Sequence, residues 1–246
     1  MNVCAADLHV HTALSPCADN EMTPPAIVAK AIAEGLAMIA VCDHNSARNA
    51  AAVQEAAGDG LTVLAGMEIT SAEECHVVGL FPAASAAEAA GAELAGTLPT
   101  ADAEYAAFFG EQLVLAADGA PAGEERAALA MATPLAIDEV VDLVHRHGGL
   151  AVAAHIDRRS FGVIGQLGLF PDEAGFDAVE LSRHVAPGSE AAAAFREYGL
   201  PILHSSDSHY RDDIGAARTT LHVMASSFAE LVLALHGADG RSIADA

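Results

Sequence analysis

One alternation governs this sequence. Short apolar runs of strand length give way to Ala-rich stretches of helix length from one end to the other, and most runs finish on a histidine or carboxylate. Residues 3–11, 38–42, 61–65, 76–81, 150–154, 178–181 and 201–205 read as strands. Residues 24–35, 46–57, 137–147, 189–198 and 227–235 read as helices, the first opened by Thr23-Pro24, an N-cap followed by proline at the first helical position. Strands alternating with helices of this length build βα units and predict a parallel sheet. The 246 residues suit a single α/β barrel, which typically needs about 250. Residues 83–134, rich in Ala, Gly and Glu and broken by Pro99, Pro121 and Pro134, are expected to form an irregular insertion, with 112–116 as one further strand. The chain is read as one domain over 1–236, with a frayed tail over 237–246.

The polar residues fall where such a barrel would use them. Asp7-Leu8-His9-Val10-His11 ends the first strand, and alternation predicts that Asp7, His9 and His11 share a face. Asp43-His44 follows the second run and Glu68 the third, while His76 opens the fourth. His155 ends 150–154, Glu180 lies within 178–181, and Asp207-Ser208-His209 follows the last run. A barrel gathers its strand ends around one mouth, where its active sites are built. A lone histidine there would be an ordinary core residue, but this many at equivalent strand ends point to zinc, manganese or iron. Glu73 and Glu74 rival Glu68 and are read as loop carboxylates; His145, His147, His222 and His236 are read as structural or exposed.

Charge sets expectations about partners. Lys and Arg total 11, with Lys30 the single lysine, against 34 Asp and Glu, a formal net charge of −23. Such a field repels nucleic acid and anionic membranes, so neither is expected as a partner. The apolar fraction is swollen by 57 alanines, and no stretch reaches the length of a membrane span. With no basic-then-apolar leader, a cytoplasmic protein is expected. Seven of the eleven basic residues lie between Arg146 and Arg218. With bound cations they would make the mouth locally positive in an acidic body, favouring a small phosphorylated substrate over a long polyanion. Cys4, Cys17, Cys42 and Cys75 form no CxxC pair and are read as small buried hydrophobes or, near the mouth, as redox-sensitive thiols.

His9-x-His11, Asp43-His44, Ala154-His155 and Asp207-Ser208-His209, in this order and with Glu68 and His76 between them, resemble the motifs of the PHP (polymerase and histidinol phosphatase) family. The resemblance runs from about residue 5 to about residue 220 and is nearest to the stand-alone metal-dependent phosphoesterases. It implies a distorted (β/α)7 TIM-like barrel holding two or three divalent ions. His9, His11, Glu68 and Asp207 would hold one ion; Glu68 would bridge to a second, completed by His76 and His155; Asp19, His44 and His209 would hold a third. Family members often carry Ser-Asp-Gly soon after the HxH, whereas here Ser15-Pro16-Cys17-Ala18-Asp19 delays the carboxylate.

The expected chemistry is phosphoester hydrolysis by a metal-activated hydroxide, with Glu68, Asp207 and His209 as the residues nearest the reaction. His209 or a metal-bound water would serve as general acid. Asp7 and Asp43 are expected to orient histidine rings. Arg158, Arg183 and His184, on loops after two strands, are the candidates for holding phosphate. Two alternatives stand beside this: a metal hydrolase of C–N or C–O bonds, and a non-catalytic metal- or redox-sensing barrel.

Overall fold

The computed structural model describes residues 1–244. The chain forms β1 (Asn2–Val10), α1 (Pro24–Ala33), β2 (Met38–Val41), α2 (Ala50–Ala57), β3 (Thr62–Thr70), β4 (His76–Phe81), α3 (Ala84–Ala95) and α4 (Ala103–Phe109). There follow β5 (Leu113–Leu115), β6 (Pro121–Glu124), α5 (Ile137–Arg146), β7 (Leu150–Ala153), α6 (Val163–Leu167) and β8 (Ala178–Leu181). The chain ends with α7 (Glu190–Ala194), β9 (Ile202–His204), β10 (Thr219–Val223), α8 (Phe228–Leu235) and β11 (Ser242–Ile243).

Nine strands make one sheet in the order β11-β10-β1-β2-β3-β4-β7-β8-β9. The stretch from β1 to β9 curls into a nearly closed barrel, which a single bridge between Val10 and Ser208 completes at the mouth. There the His11 N–H donates to the Ser208 carbonyl at 3.0 Å. Lower down, the same edge of β1 pairs with β10 instead, from Asn2↔Val223 to Ala6↔Thr219.

The helices form for reasons legible in their residues. In α1, Thr23 is extended, Pro24 begins the helix, and Pro24, Ile27, Val28 and Ala31 make the buried stripe. In α5, Glu139 reaches back to the Ala136 N–H (2.9 Å), and the helix buries Ile137, Val140, Val141 and Val144. Small alanines let such helices lie close against the sheet. The interior below the mouth is apolar: Cys4, Ala6, Leu8, Val78, Leu80, Val152 and Leu203 pack there with Leu231 and Leu235 of α8.

Four expectations need correction. The sheet is not wholly parallel, because β4 runs antiparallel to both β3 and β7, and β10 antiparallel to β1. Period-two alternation reports which face a side chain takes and is blind to strand direction. The 83–134 insertion is less irregular than expected: α3 packs on the barrel, and the anticipated strand at 112–116 is β5, paired with β6 in a separate small sheet. The tail is folded as far as Ala244, with β11 on β10 and Arg241 bound to Glu230 (2.8 Å); Asp245 and Ala246 lie outside the described residues. Finally, the β1–β2 register shifts between Asp7 and Val10, so the alternation breaks there. Asp7 turns to the β9–β10 connection, accepting from Ser206 N–H (3.0 Å), Ser206 Oγ (2.6 Å) and Gly215 N–H (2.8 Å), and orients no histidine ring.

Candidate metal centre

The β3–β4 hairpin explains how His76, at the start of its strand, meets residues from the ends of others. Because β4 runs backwards, its first residue lies at the same mouth, where Thr70 pairs with His76. β3 is also longer than expected, so Glu68 sits within it, bridged to His44 and donating its backbone N–H to the Asp43 carbonyl (3.0 Å).

Around Glu68 the donors converge. His76 Nδ1 lies 2.7 Å and His155 Nε2 3.1 Å from Oε1, and His44 Nδ1 lies 3.0 Å from Oε2. His11 Nε2 is 3.0 Å from Asp207 Oδ1 and 3.2 Å from His9 Nε2. Three groups have their donor atoms within 4.8 Å of one another: His9, His11, Glu68 and Asp207; His44, Glu68 and His76; and His11, His44 and His209. A cation bonded at about 2.0–2.2 Å spaces its ligands a little over 3 Å apart, so this donor set fits divalent metal. His155 Nδ1 is buried without a hydrogen-bond partner among the described residues, a further unmet polar atom in the cluster.

Partners behind the cluster fix its rings. His9 Nδ1 donates to both oxygens of Glu180 at 3.1 Å, and Glu180 also receives the His155 N–H at 3.2 Å. Ser15 Oγ donates to Asp43 (2.7 Å), so it accepts from His11 Nδ1 (2.9 Å), leaving the His11 Nε2 lone pair for a cation. Asp43 thus acts on His11 through Ser15, held itself by Thr12 N–H and Oγ1, both at 2.7 Å.

The electrostatics follow from this crowding. Burial opposes a charged His9, yet Glu180, Glu68 and Asp207 hold it well above the ordinary imidazole value. Burial and then the neighbouring His209 hold His11 well below it. Burial also opposes ionised Glu68, but His76, His9 and His44 keep its carboxyl well below the usual range. Asn45, His155 and Asp207 sit at positive φ (48°, 28° and 50°), backbone strain gathered where β2, β7 and β9 end.

The PHP domain family matches residues 7–168, and the PHP-associated family matches residues 189–238. The chain belongs to the PHP family. No functionally curated protein matches it in sequence. Among solved structures, the lesion-specific endonuclease Q of Pyrococcus furiosus is similar over 98% of this chain and 58% of its own, with 18% identity and a TM-score of 0.77. An endonuclease Q complex with a 27-mer duplex, an abasic lesion at its active site, matches with the same coverage, 98% and 58%, at 17% identity and a TM-score of 0.75. A Bifidobacterium adolescentis protein assigned as a metal-dependent phosphoesterase matches at 22% identity and a TM-score of 0.58, over 83% of this chain and 87% of its own. This PHP chain therefore spans little more than half of endonuclease Q, and the likeness is one of fold.

That likeness corrects one expectation. Net charge was expected to exclude nucleic acid, yet a fold of this kind is solved with duplex DNA at its active site. A net charge sums over the whole surface, whereas phosphate contacts depend on the few residues at the mouth. Two of the proteins that share this fold, an endonuclease and a phosphoesterase, are by name hydrolases of phosphoric esters. No helix among the described residues is long and apolar enough to cross a membrane.

The remaining candidates divide by distance from the cluster. Arg158 Nη1 lies 2.6 Å from Asp207 Oδ2, at the solvent side of the centre. Arg183 pairs with Asp213 (2.7 Å) and His184 is exposed, both on the loop after β8 and neither in contact with the donors. Asp19 is not among the gathered donors: its side chain caps the Glu21 N–H (2.7 Å) and it is exposed. Cys17, two residues earlier on the same loop, is also exposed, and its thiol feels His209 and His44. Burial raises that thiol, but those two histidines bring it down to about 6. Sequence reasoning counted Glu180 among the polar residues of the mouth without a particular role and gave none to Ser15 or to Phe161, which stacks on His76 with ring centroids 4.4 Å apart. Glu180 did carry a signal, a carboxylate inside an apolar strand; Phe161 carried none.

Proposed function

We propose that this PHP domain is a cytoplasmic phosphoesterase of small phosphate esters, working with two or three ions of zinc, manganese or iron. In this reading His9, His11, Glu68 and Asp207 hold one cation, Glu68, His76 and His155 a second, and His44 with His209 part of a third. Divalent ions held there would acidify water and neutralise phosphoryl charge. Arg158 carries the substrate assignment: it is a guanidinium 2.6 Å from Asp207, about a third exposed (32%), beside a cluster otherwise buried. Released towards substrate, it would take a phosphoryl oxygen through charge-assisted hydrogen bonds. Arg183 and His184 serve further out, for the part of the substrate beyond the phosphate. When no cation occupies the third position, His209, the most exposed of the gathered imidazoles at 21%, is the side chain suited to protonate a leaving group; with a cation there it is a ligand only.

A second reading has the same chemistry on a phosphodiester within nucleic acid. The endonuclease Q likeness, at a TM-score of 0.77, favours it. A panel of sugar phosphates, nucleotides, diesters and abasic duplex DNA, run with Mn, Zn and Fe, separates the two. The small-ester reading expects turnover of monomeric esters, and Arg158→Ala then lowers kcat/KM by roughly 10–100-fold, the worth of a charged hydrogen bond. Cleavage of the duplex alone would establish the second reading. Turnover of amides or carboxylic esters without any phosphoester would overturn both.

A further inference from the structure

Three aromatic side chains are well exposed among the described residues, Phe108, Phe161 and Tyr210, and all three stand around the mouth. Phe161 lies on the loop after β7, and Tyr210 directly follows His209. Phe108 is on α4, whose end at Gly110 packs on Pro16 of the loop leaving β1. Aromatic residues are only 4% of the chain, and the others are wholly or partly buried. Phe161 is the one in contact with the donors: its ring stacks on that of His76, with the planes 16° apart. That contact covers one face, yet 42% of the residue remains exposed.

Folding alone gives no reason for a phenylalanine there. Phe161 sits at φ +61°, a left-handed backbone that is strained for a bulky residue and that glycine or asparagine takes more readily. Its surroundings hold it in that conformation. Phe161 O accepts the His76 N–H (2.8 Å), and the Arg158 N–H is tied to His155 O (2.9 Å). Asp157 anchors the loop to the next strand, accepting from Ser182 N–H (2.7 Å) and Oγ (2.6 Å). An added Cβ at Gly162 would come 2.6 Å from Arg158 O and 2.9 Å from His155 O, so the loop is wound tight and presents its ring rigidly. A fixed, open aromatic face beside the donors is shaped to receive another flat ring.

The same loop carries Arg158, whose guanidinium meets Asp207 (2.6 Å). Asp207 and His76 belong to different donor groups, so the guanidinium and the ring stand on different flanks of the centre. A substrate that meets both carries a planar ring set apart from its phosphate, which is the layout of a nucleotide. We propose that Phe161 is a specificity-determining residue that stacks a nucleobase while the phosphate of the same substrate is held at the donor cluster and Arg158. The inference rests on the phosphoesterase reading above and narrows its substrate to a nucleotide unit rather than a bare sugar phosphate. A free nucleotide and a nucleotide within a strand offer the same ring, and every base has a face that stacks.

The test compares adenosine monophosphate with ribose 5-phosphate, which share the phosphate and the sugar, on full-length protein loaded with metal. The native protein should show the lower KM for adenosine monophosphate. Phe161→Ala should raise that KM by roughly 5–100-fold, the worth of one base on an aromatic ring, and shift kcat and the KM for ribose 5-phosphate far less. Phe161→Tyr should keep the preference, and Phe161→Leu, apolar without a flat ring, should lose it as alanine does. If duplex DNA alone is cleaved, the same ratio is read between a base and an abasic site at the cleaved position, and its fall in Phe161→Ala would assign the stacked base to nucleic acid. Equal KM values in the native protein, a preference that survives Phe161→Ala, or a loss that falls equally on both substrates together with bound metal would overturn the proposal while leaving the hydrolase reading intact. The last of these would make Phe161 a support for His76 alone. No turnover of any phosphoester would overturn both.

Discussion

The same strands build two opposite interiors. Below, the barrel is filled by Leu8, Leu80, Val152 and Leu203 and plugged by Leu231 and Leu235 of α8. Above, equally buried positions carry His9, His11, Glu68, His155 and Glu180, none more than 1% exposed. Burying apolar area stabilises by roughly 25 cal/mol per Å². Burying carboxylates and imidazoles costs free energy unless each finds a partner, and here nearly every one does. The lower half therefore holds the fold together against an upper half arranged for cations. A change below should cost stability and spare metal; a change above should do the reverse.

The sharpest break is Glu68→Ala. Glu68 touches four imidazoles within 3.4 Å, so metal content should fall and hydrolysis should drop beyond the roughly 10–100-fold typical of outer partners. Elemental analysis with initial rates checks this, and full metal retention would refute it. Next, Leu80→Ala in the lower half should cost about 2–5 kcal/mol in urea unfolding, with metal stoichiometry unchanged. If metal is lost in proportion, the two halves are not separable.

Asp7 sits between the halves, and burial pushes its carboxyl from 3.8 up to about 6, against the hydrogen bonds from Ser206 and Gly215. The folded state therefore holds a proton that the unfolded chain has released between those pH values. Its contribution is full below pH 3.8 and is lost as pH rises through about 6, a fall of about 2–3 kcal/mol. Unfolding of metal-free protein across that window should show this slope, and Asp7→Asn should remove it. The smallest effect is expected from Glu180→Gln, which weakens the hold on His9. Metal affinity should fall by roughly 10–100-fold with the fold intact, measured by competition with a chelator.

Much of this was legible in the residues. The polar ends of the apolar runs marked the mouth, and the order of His9-x-His11, Asp43-His44, His155 and Asp207-Ser208-His209 marked the family. Strand direction was not legible, because alternation is the same read either way along β4. The bulge that turns Asp7 aside was hidden for a related reason: it breaks a pattern that sequence can only assume. Asp19 fitted the expected ligand type, but loop geometry, which sequence does not give, turns its side chain to the Glu21 N–H instead. The exclusion of nucleic acid failed because composition gives total charge and says nothing of where it acts.

The reversed β4 also bears on how the centre comes into being. Glu68 and His76 are eight residues apart on one hairpin, while His11 and Asp207 are separated by 196. Bringing the distant pair together costs about 3 kcal/mol more in chain entropy, taking closure as logarithmic in loop length. A newly made chain can thus offer an ion the hairpin pair early, and the ion would then help draw the remaining ligands in as the barrel shuts. Refolding rates that rise with added zinc, and cease to rise in His76→Ala, would reveal the metal as a partner in folding as well as in chemistry.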